Sequence, residues 1–193
     1  LAELNFARFR DFEKNPQRQA ILAYDGDVYQ GFDKKKFSQQ DFQFAQDHLR
    51  IISGLYGILR PLDLIKPYRL EMSVDFKNVN FLTKNLYQFW NQKITDYFKK
   101  IPQKIIVNLA SQEYSKVIDG KKIPQKIINI TFKENKNNQL KVIALNAKKA
   151  RGLMANFAII NKINDPKKLQ DFDQQNYRFI KDLSSDQEWV FVR

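Results

Sequence analysis

Phe37, Phe42, Ala45 and Leu49 fall at helical spacing around the polar pair Ser38 and Asp41, the sharpest hydrophobic pattern in the chain. Ser38 predicts an N-cap, Asp41 its capping-box partner, and Phe37 with Phe42 a hydrophobic staple. Leu86, Trp90, Ile94, Tyr97 and Ile101 predict a second amphipathic helix over 84–100. The opening LAELNFARF also reads as a helix. KIIVNLA (104–110) is β-branched without alternation, which predicts a strand buried on both faces. SQEYSKVI, with Ser111 as its cap, predicts a short helix after it. KIINITF and LKVIALNA predict an antiparallel hairpin joined by the polar loop 133–139. A further helix is expected from 147, capped by Asn146, with Ala150, Leu153, Met154, Phe157 and Ile160 on one face. A proline-containing turn at NDPKKLQDF and two short strands, YRFI and WVFV, complete the pattern. Between 51 and 72, two glycines and two prolines forbid a long regular element. Helices interleaved with strands predict an α+β (mixed α/β) fold, a mixed sheet with packed helices in one compact domain over 1–193. The chain opens at Leu1 inside a helical pattern, so a preceding segment is expected.

Charge sharpens this picture. The formal net charge is +12. Residues 1–83 carry 12 basic and 11 acidic side chains, and residues 152–193 carry 6 of each. Residues 84–151 carry 15 basic against 4 acidic, so nearly all the surplus lies in one third of the chain. Codon drift explains many lysines but not their segregation, whereas a polyanion-binding surface requires it. Within that third, the expected helix start would place Lys148, Lys149 and Arg151 in or beside its first turn. Cations there oppose the helix dipole by about 0.3–1 kcal/mol each. They become an asset if a phosphate sits on the exposed N–H groups.

Other chemistries lack their parts. There is no cysteine and a single histidine, His48, without a second ligand at metal spacing. No metal site, cofactor or Ser-His nucleophile is therefore expected. No apolar run is long enough to span a bilayer, so no membrane partner is expected, and the absence of cysteine fits a cytoplasmic protein. Asp25 and Asp27 flank Gly26, either as a turn or as acid/base carboxylates; Glu71 beside Arg69 is either an ion-pair partner or a general acid or base. SGLYGILRP places Ser53, Gly54 and Gly57 in a hairpin or a tight turn, with Arg60 and Lys66 after it. Tyr56 and Tyr68 are expected to pack into the core, with base stacking as the alternative.

The stretches RQAILAYDGDVYQGF, FAQDHLRIISGLYGILRPLDLIKPYRLEM, LYQFW, NLASQEY and AKKARGLMANF occur in an order that resembles the YaaA family of bacterial peroxide-stress proteins. The Ser-Pro-Ala-Lys motif that begins that family has no counterpart here. The resemblance implies a mixed α/β domain with a positively charged cleft and a helix-hairpin-helix-like element. It also implies cytoplasmic DNA binding linked to protection from hydrogen peroxide and to limiting free iron, an effect that must be indirect without ligands. It carries over no catalytic residues. Lys148, Lys149 and Arg151, helped by Arg60, Lys66 and Arg69 and by lysines of 84–126, are then the expected phosphate contacts. The rival expectation is an enzyme whose same site holds a substrate phosphate, with Asp25, Asp27 or Glu71 as acid or base.

Overall fold

A computed structural model describes residues 2–76 and 83–193. Helix α1 (Ala2–Arg10) leads to a two-residue strand β1 (Arg18–Gln19) and a single turn, α2 (Ala20–Ala23). Helix α3 (Gln39–His48) begins as its sequence dictates. Ser38 Oγ accepts from the Asp41 N–H, Asp41 Oδ2 accepts from the Ser38 N–H at 2.7 Å, and Phe37 meets Phe42 edge-on. Strands β2 (Ile51–Ser53) and β3 (Gly57–Leu59) form a tight antiparallel hairpin, and β4 (Leu64–Ile65) returns to pair with β1. Helix α4 (Leu86–Lys100) starts at an Asn85 cap and buries Leu86, Ile94, Thr95 and Phe98.

The second half builds the main sheet. It comprises β5 (Ile105–Asn108), a short helix α5 (Gln112–Ser115), β6 (Lys126–Lys136), β7 (Gln139–Lys141), helix α6 (Ala144–Ile160), β8 (Arg178–Phe179) and β9 (Glu188–Val192). The strand order is β5-β6-β9-β8, with β7 pairing off the far end of β6. β5 and β9 run parallel to β6, while β7 and β8 are antiparallel to their partners, so the sheet is mixed and the fold α+β, as expected.

Three local expectations are corrected. β5 is an edge strand with one neighbour and no fully buried residue, because only β6 offers it a hydrogen-bonding partner. The polar loop 133–139 is mostly strand: β6 runs to Lys136, and the chain reverses at Asn137 and Asn138, whose φ of 54° and 60° are those of a tight hairpin turn. Ser111 precedes α5 but makes no side-chain capping bond.

α6 is the axle of the molecule. Ala147, Ala150 and Met154 pack on Ile128, Ile130 and Phe132 of β6 and on Trp189 and Phe191 of β9. Its Ala155 and Ile159 join a separate cluster with Ile21, Phe32, Phe37 and Ala45. Full burial of a side chain such as Met154 contributes about 1.5–3 kcal/mol. The chain around Val28–Gly31 lies directly on the α6 backbone, because Gly31 and Gly152 face each other. A Cβ on Gly152 would fall 1.8 Å from the Val28 carbonyl oxygen. α4 packs a third cluster with Met72, Val117 and Ile123.

Candidate nucleic-acid interface

The start of α6 differs from expectation, and with it the setting of three predicted phosphate contacts. The helix begins at Ala144 behind Ile143, which makes no side-chain cap bond. Asn146 sits inside the first turn, where its Nδ2 donates to Glu134 Oε1 on β6 at 2.6 Å. Lys148, Lys149 and Arg151 therefore lie in the second and third turns, past the orphan N–H groups, and the dipole argument for an anion there is removed. Lys148 Nζ is 3.9 Å from Asp27 Oδ2, an exposed pair at the outer limit of contact. Lys149 has no ion pair or hydrogen bond among the described residues. Arg151 is half-buried, its Nε donates only to the Ala147 carbonyl of its own helix, and burial lowers its guanidinium pKa.

The other three predicted cations are engaged within the fold. Arg60 donates to the Gln46 carbonyl and lies 3.4 Å from Asp47. Lys66 is buried and donates to the Glu13 carbonyl at 2.9 Å and to its carboxylate at 2.8 Å. Arg69 binds Glu71 at 2.9 Å and holds that carboxyl below the usual range, the opposite of what a general acid needs. Asp27 faces Lys148, and the chain turns at Gly26, whose carbonyl accepts from the Tyr29 N–H at 2.7 Å. Asp25 is exposed.

The segment Ser53–Gly57 is the turn of a β-hairpin between strands, and not a helix-flanked hairpin with exposed backbone. Ser53, Gly54 and Gly57 are buried. The Gly54 carbonyl accepts from Trp90 Nε1 at 2.8 Å, and Gly57, at φ 76°, lies under the same indole, where a Cβ would come within 2.6 Å of the ring. Tyr68 is not simply packed: its hydroxyl joins those of Tyr24 and Ser53, each at 2.5 Å. His48 stacks on Phe44, and no group of three or more potential metal ligands is found among the described residues.

A groove of about 760 Å³ opens over the face of β5 and β6 that carries Ile106, Asn108, Ile127 and Asn129, largely within the basic third of the chain. Lys116, Lys121 and Lys126 line it; only Lys126 has a carboxylate in reach, the fully exposed Asp186 at 3.7 Å. Asp119, the carboxylate in its wall, is taken by Lys122 at 3.1 Å, which holds its pKa below the usual range. Five amides share the rest of the wall with three isoleucines, Ile106, Ile118 and Ile127. Asn108 Nδ2 donates to Asn129 Oδ1 at 2.8 Å, Asn91 donates to the Val117 carbonyl, and Gln125 donates to the Phe98 carbonyl at 2.7 Å. Gln125 is 5% exposed, yet its Oε1 has no partner. Sequence reasoning found the lysines through the charge count but missed the amides, because an isolated Asn or Gln carries no pattern.

Of the fifteen cations in 84–151, only Lys122, Lys126 and Lys148 have a carboxylate within ion-pair distance among the described residues. The segment's own acids are spent elsewhere: Glu134 on Asn146 and Arg193, Glu113 on Ser73, Asp96 on Gln92. No helix among the described residues is long and apolar enough to cross a membrane.

These features define an α+β protein without cysteine whose net positive surplus is concentrated in one stretch of chain. The family model described as peroxide stress protein YaaA matches residues 1–183, and the chain belongs to that family. It is 49% identical over 199 residues to a UPF0246 protein of Acaryochloris marina, and 46% identical over 197 residues to a UPF0246 protein of Crocosphaera subtropica. Each alignment covers all of this chain and 78% of the relative.

Proposed function

We propose that this peroxide-stress family member is a cytoplasmic DNA-binding protein that grips its target largely through phosphates. The supporting observation is the set of lysines in 84–151 left without carboxylate partners, two of which, Lys116 and Lys121, line an amide-rich groove beside the weakly paired Lys126. Lysines attract phosphates as point charges, and the amides of Asn108, Gln125 and Asn129 supply donors and acceptors of the kind that meet sugar and base edges. Lys149 and Arg151 on α6 add further cations without carboxylate partners; Arg60, Lys66 and Arg69 contribute little, being paired within the fold.

The test is the salt dependence of duplex binding. Each phosphate neutralised lowers the slope of log K against log salt by about 0.9. Lys116→Ala with Lys121→Ala should flatten that slope by about 2 while leaving the melting temperature unchanged. Binding that is absent at low salt, or a slope indifferent to both substitutions and to a Lys149→Ala/Arg151→Ala pair, overturns the reading.

A further inference from the structure

A second cavity, of about 390 Å³, lies between α1, β1, the end of α2 and the segment after β4. Arg8, Arg18 and Lys66 reach it from three elements, with Tyr24 and Tyr68 beside them. Its volume is that of a small-ligand site. The balance of donors and acceptors in its wall is one-sided. The side chains of Arg8 and Arg18 make no hydrogen bond or ion pair among the described residues. The Lys66 ammonium has three hydrogens and two acceptors, both on Glu13. The hydroxyls of Tyr24, Tyr68 and Ser53 hold three hydrogens but share only two contacts, so one hydrogen is left over. Burial pushes the Tyr24 hydroxyl up to about 12, so it keeps its proton at neutral pH. Apart from the amide of Gln17, the uncommitted polar side chains here offer donors.

Charge narrows the occupant. Arg8, Arg18 and Lys66 carry three positive charges, and Glu13, bound to Lys66, returns one. Lys34 adds to the positive field beside Arg18, opposed by Asp25. A wall of net charge near +2 matches a phosphate monoester, which carries about −1.5 to −2 at pH 7, better than a singly charged diester or carboxylate. Guanidinium forks suit its tetrahedral oxygens.

We propose that the cavity walled by Arg8, Arg18, Lys66, Tyr24 and Tyr68 binds a phosphate monoester. Within nucleotide chemistry that group has two sources, a free nucleotide and the 5′-phosphate of a nucleic-acid strand. This site shares no residue with the β5 groove, so it stands or falls apart from the DNA reading.

Calorimetric titrations of the whole chain with uridine monophosphate and uridine, and with one single-stranded hexanucleotide bearing either a 5′-phosphate or a 5′-hydroxyl, test it. The expected result is that the phosphorylated member of at least one pair binds about tenfold or more tightly, and that Arg8→Gln/Arg18→Gln abolishes the difference. Discrimination in the first pair identifies a free nucleotide, and discrimination in the second alone identifies a strand end. Arg18 is exposed, so Arg18→Gln by itself keeps the test valid if the double variant does not fold. Equal binding within both pairs, or a preference that survives the substitutions, overturns the proposal. Binding of a 5′-hydroxyl duplex should be unchanged in these variants, which separates this site from the groove.

Discussion

Gly152→Ala should destabilise the protein, although a glycine inside a helix ordinarily gains about 0.8–1 kcal/mol on becoming alanine. The new Cβ would lie 1.8 Å from the Val28 carbonyl oxygen, 2.9 Å from its carbon and 3.2 Å from Gly31 Cα. All three neighbours are backbone, so no side chain can swing away, and the 28–31 segment must lift off α6. Overpacking of this kind costs about 1–3 kcal/mol, and the contact is short enough to place it at the upper end. Subtracting the helix gain leaves a net loss of about 1–2 kcal/mol. For a chain of this size each kcal/mol moves the midpoint by about 2–4 °C, so the thermal transition should fall by about 2–8 °C. Gly26→Ala is the matched control. Nothing lies within 4 Å of its added Cβ, and the substitution should hold or raise the midpoint by restricting the unfolded chain. Calorimetric melts of the two variants decide the matter. A Gly152→Ala midpoint equal to or above wild type would show that the 28–31 segment is not seated on α6.

Two further substitutions probe single side chains. Asp41 is held near a pKa of about 2, first by the Lys162 ammonium and then by the Ser38 hydroxyl and N–H. Because the folded pKa lies below the unfolded value, that stabilisation is fully present above about pH 4 and is lost as pH falls toward 2. Urea denaturation of wild type and Asp41→Asn should show a gap at pH 6 that closes toward pH 2; a gap constant over that range refutes the linkage. Arg151→Met should leave stability unchanged or raised while weakening duplex binding, measured by urea midpoint and by titration at low salt. A loss of stability without a loss of affinity would reverse the assignment.

What the chain discloses in advance depends on how far apart the deciding residues are. The α3 cap was legible because Ser38 and Asp41 are three residues apart and satisfy each other. The α6 start was not, because Asn146 spends its side chain on Glu134, twelve residues away across a hairpin. Once that bond forms, Asn146 no longer caps, and Ala144 takes the first helical position. β5 has the composition of a central strand but lies at an edge, a matter of sheet order that local pattern does not encode. The basic surplus was visible by counting. The hydroxyl chain of Tyr24, Ser53 and Tyr68 was not, since it needs three separate segments to meet.

The same packing that makes α6 the axle explains why its cations matter. Ala147, Ala150, Gly152, Met154, Ala155 and Ile159 are buried against two different clusters, so little of the helix circumference remains for solvent. Lys148 emerges exposed on that strip, and Lys149 is partly covered beside it. Arg151 emerges at its margin, half-buried, with no carboxylate to offset the lost hydration. A fold selected for stability alone would place a methionine or leucine there, matching the length and sparing the desolvation. An arginine kept at that cost is accounted for by a negative partner that arrives from outside, and a phosphate supplies the fork-matched oxygens the helix itself lacks.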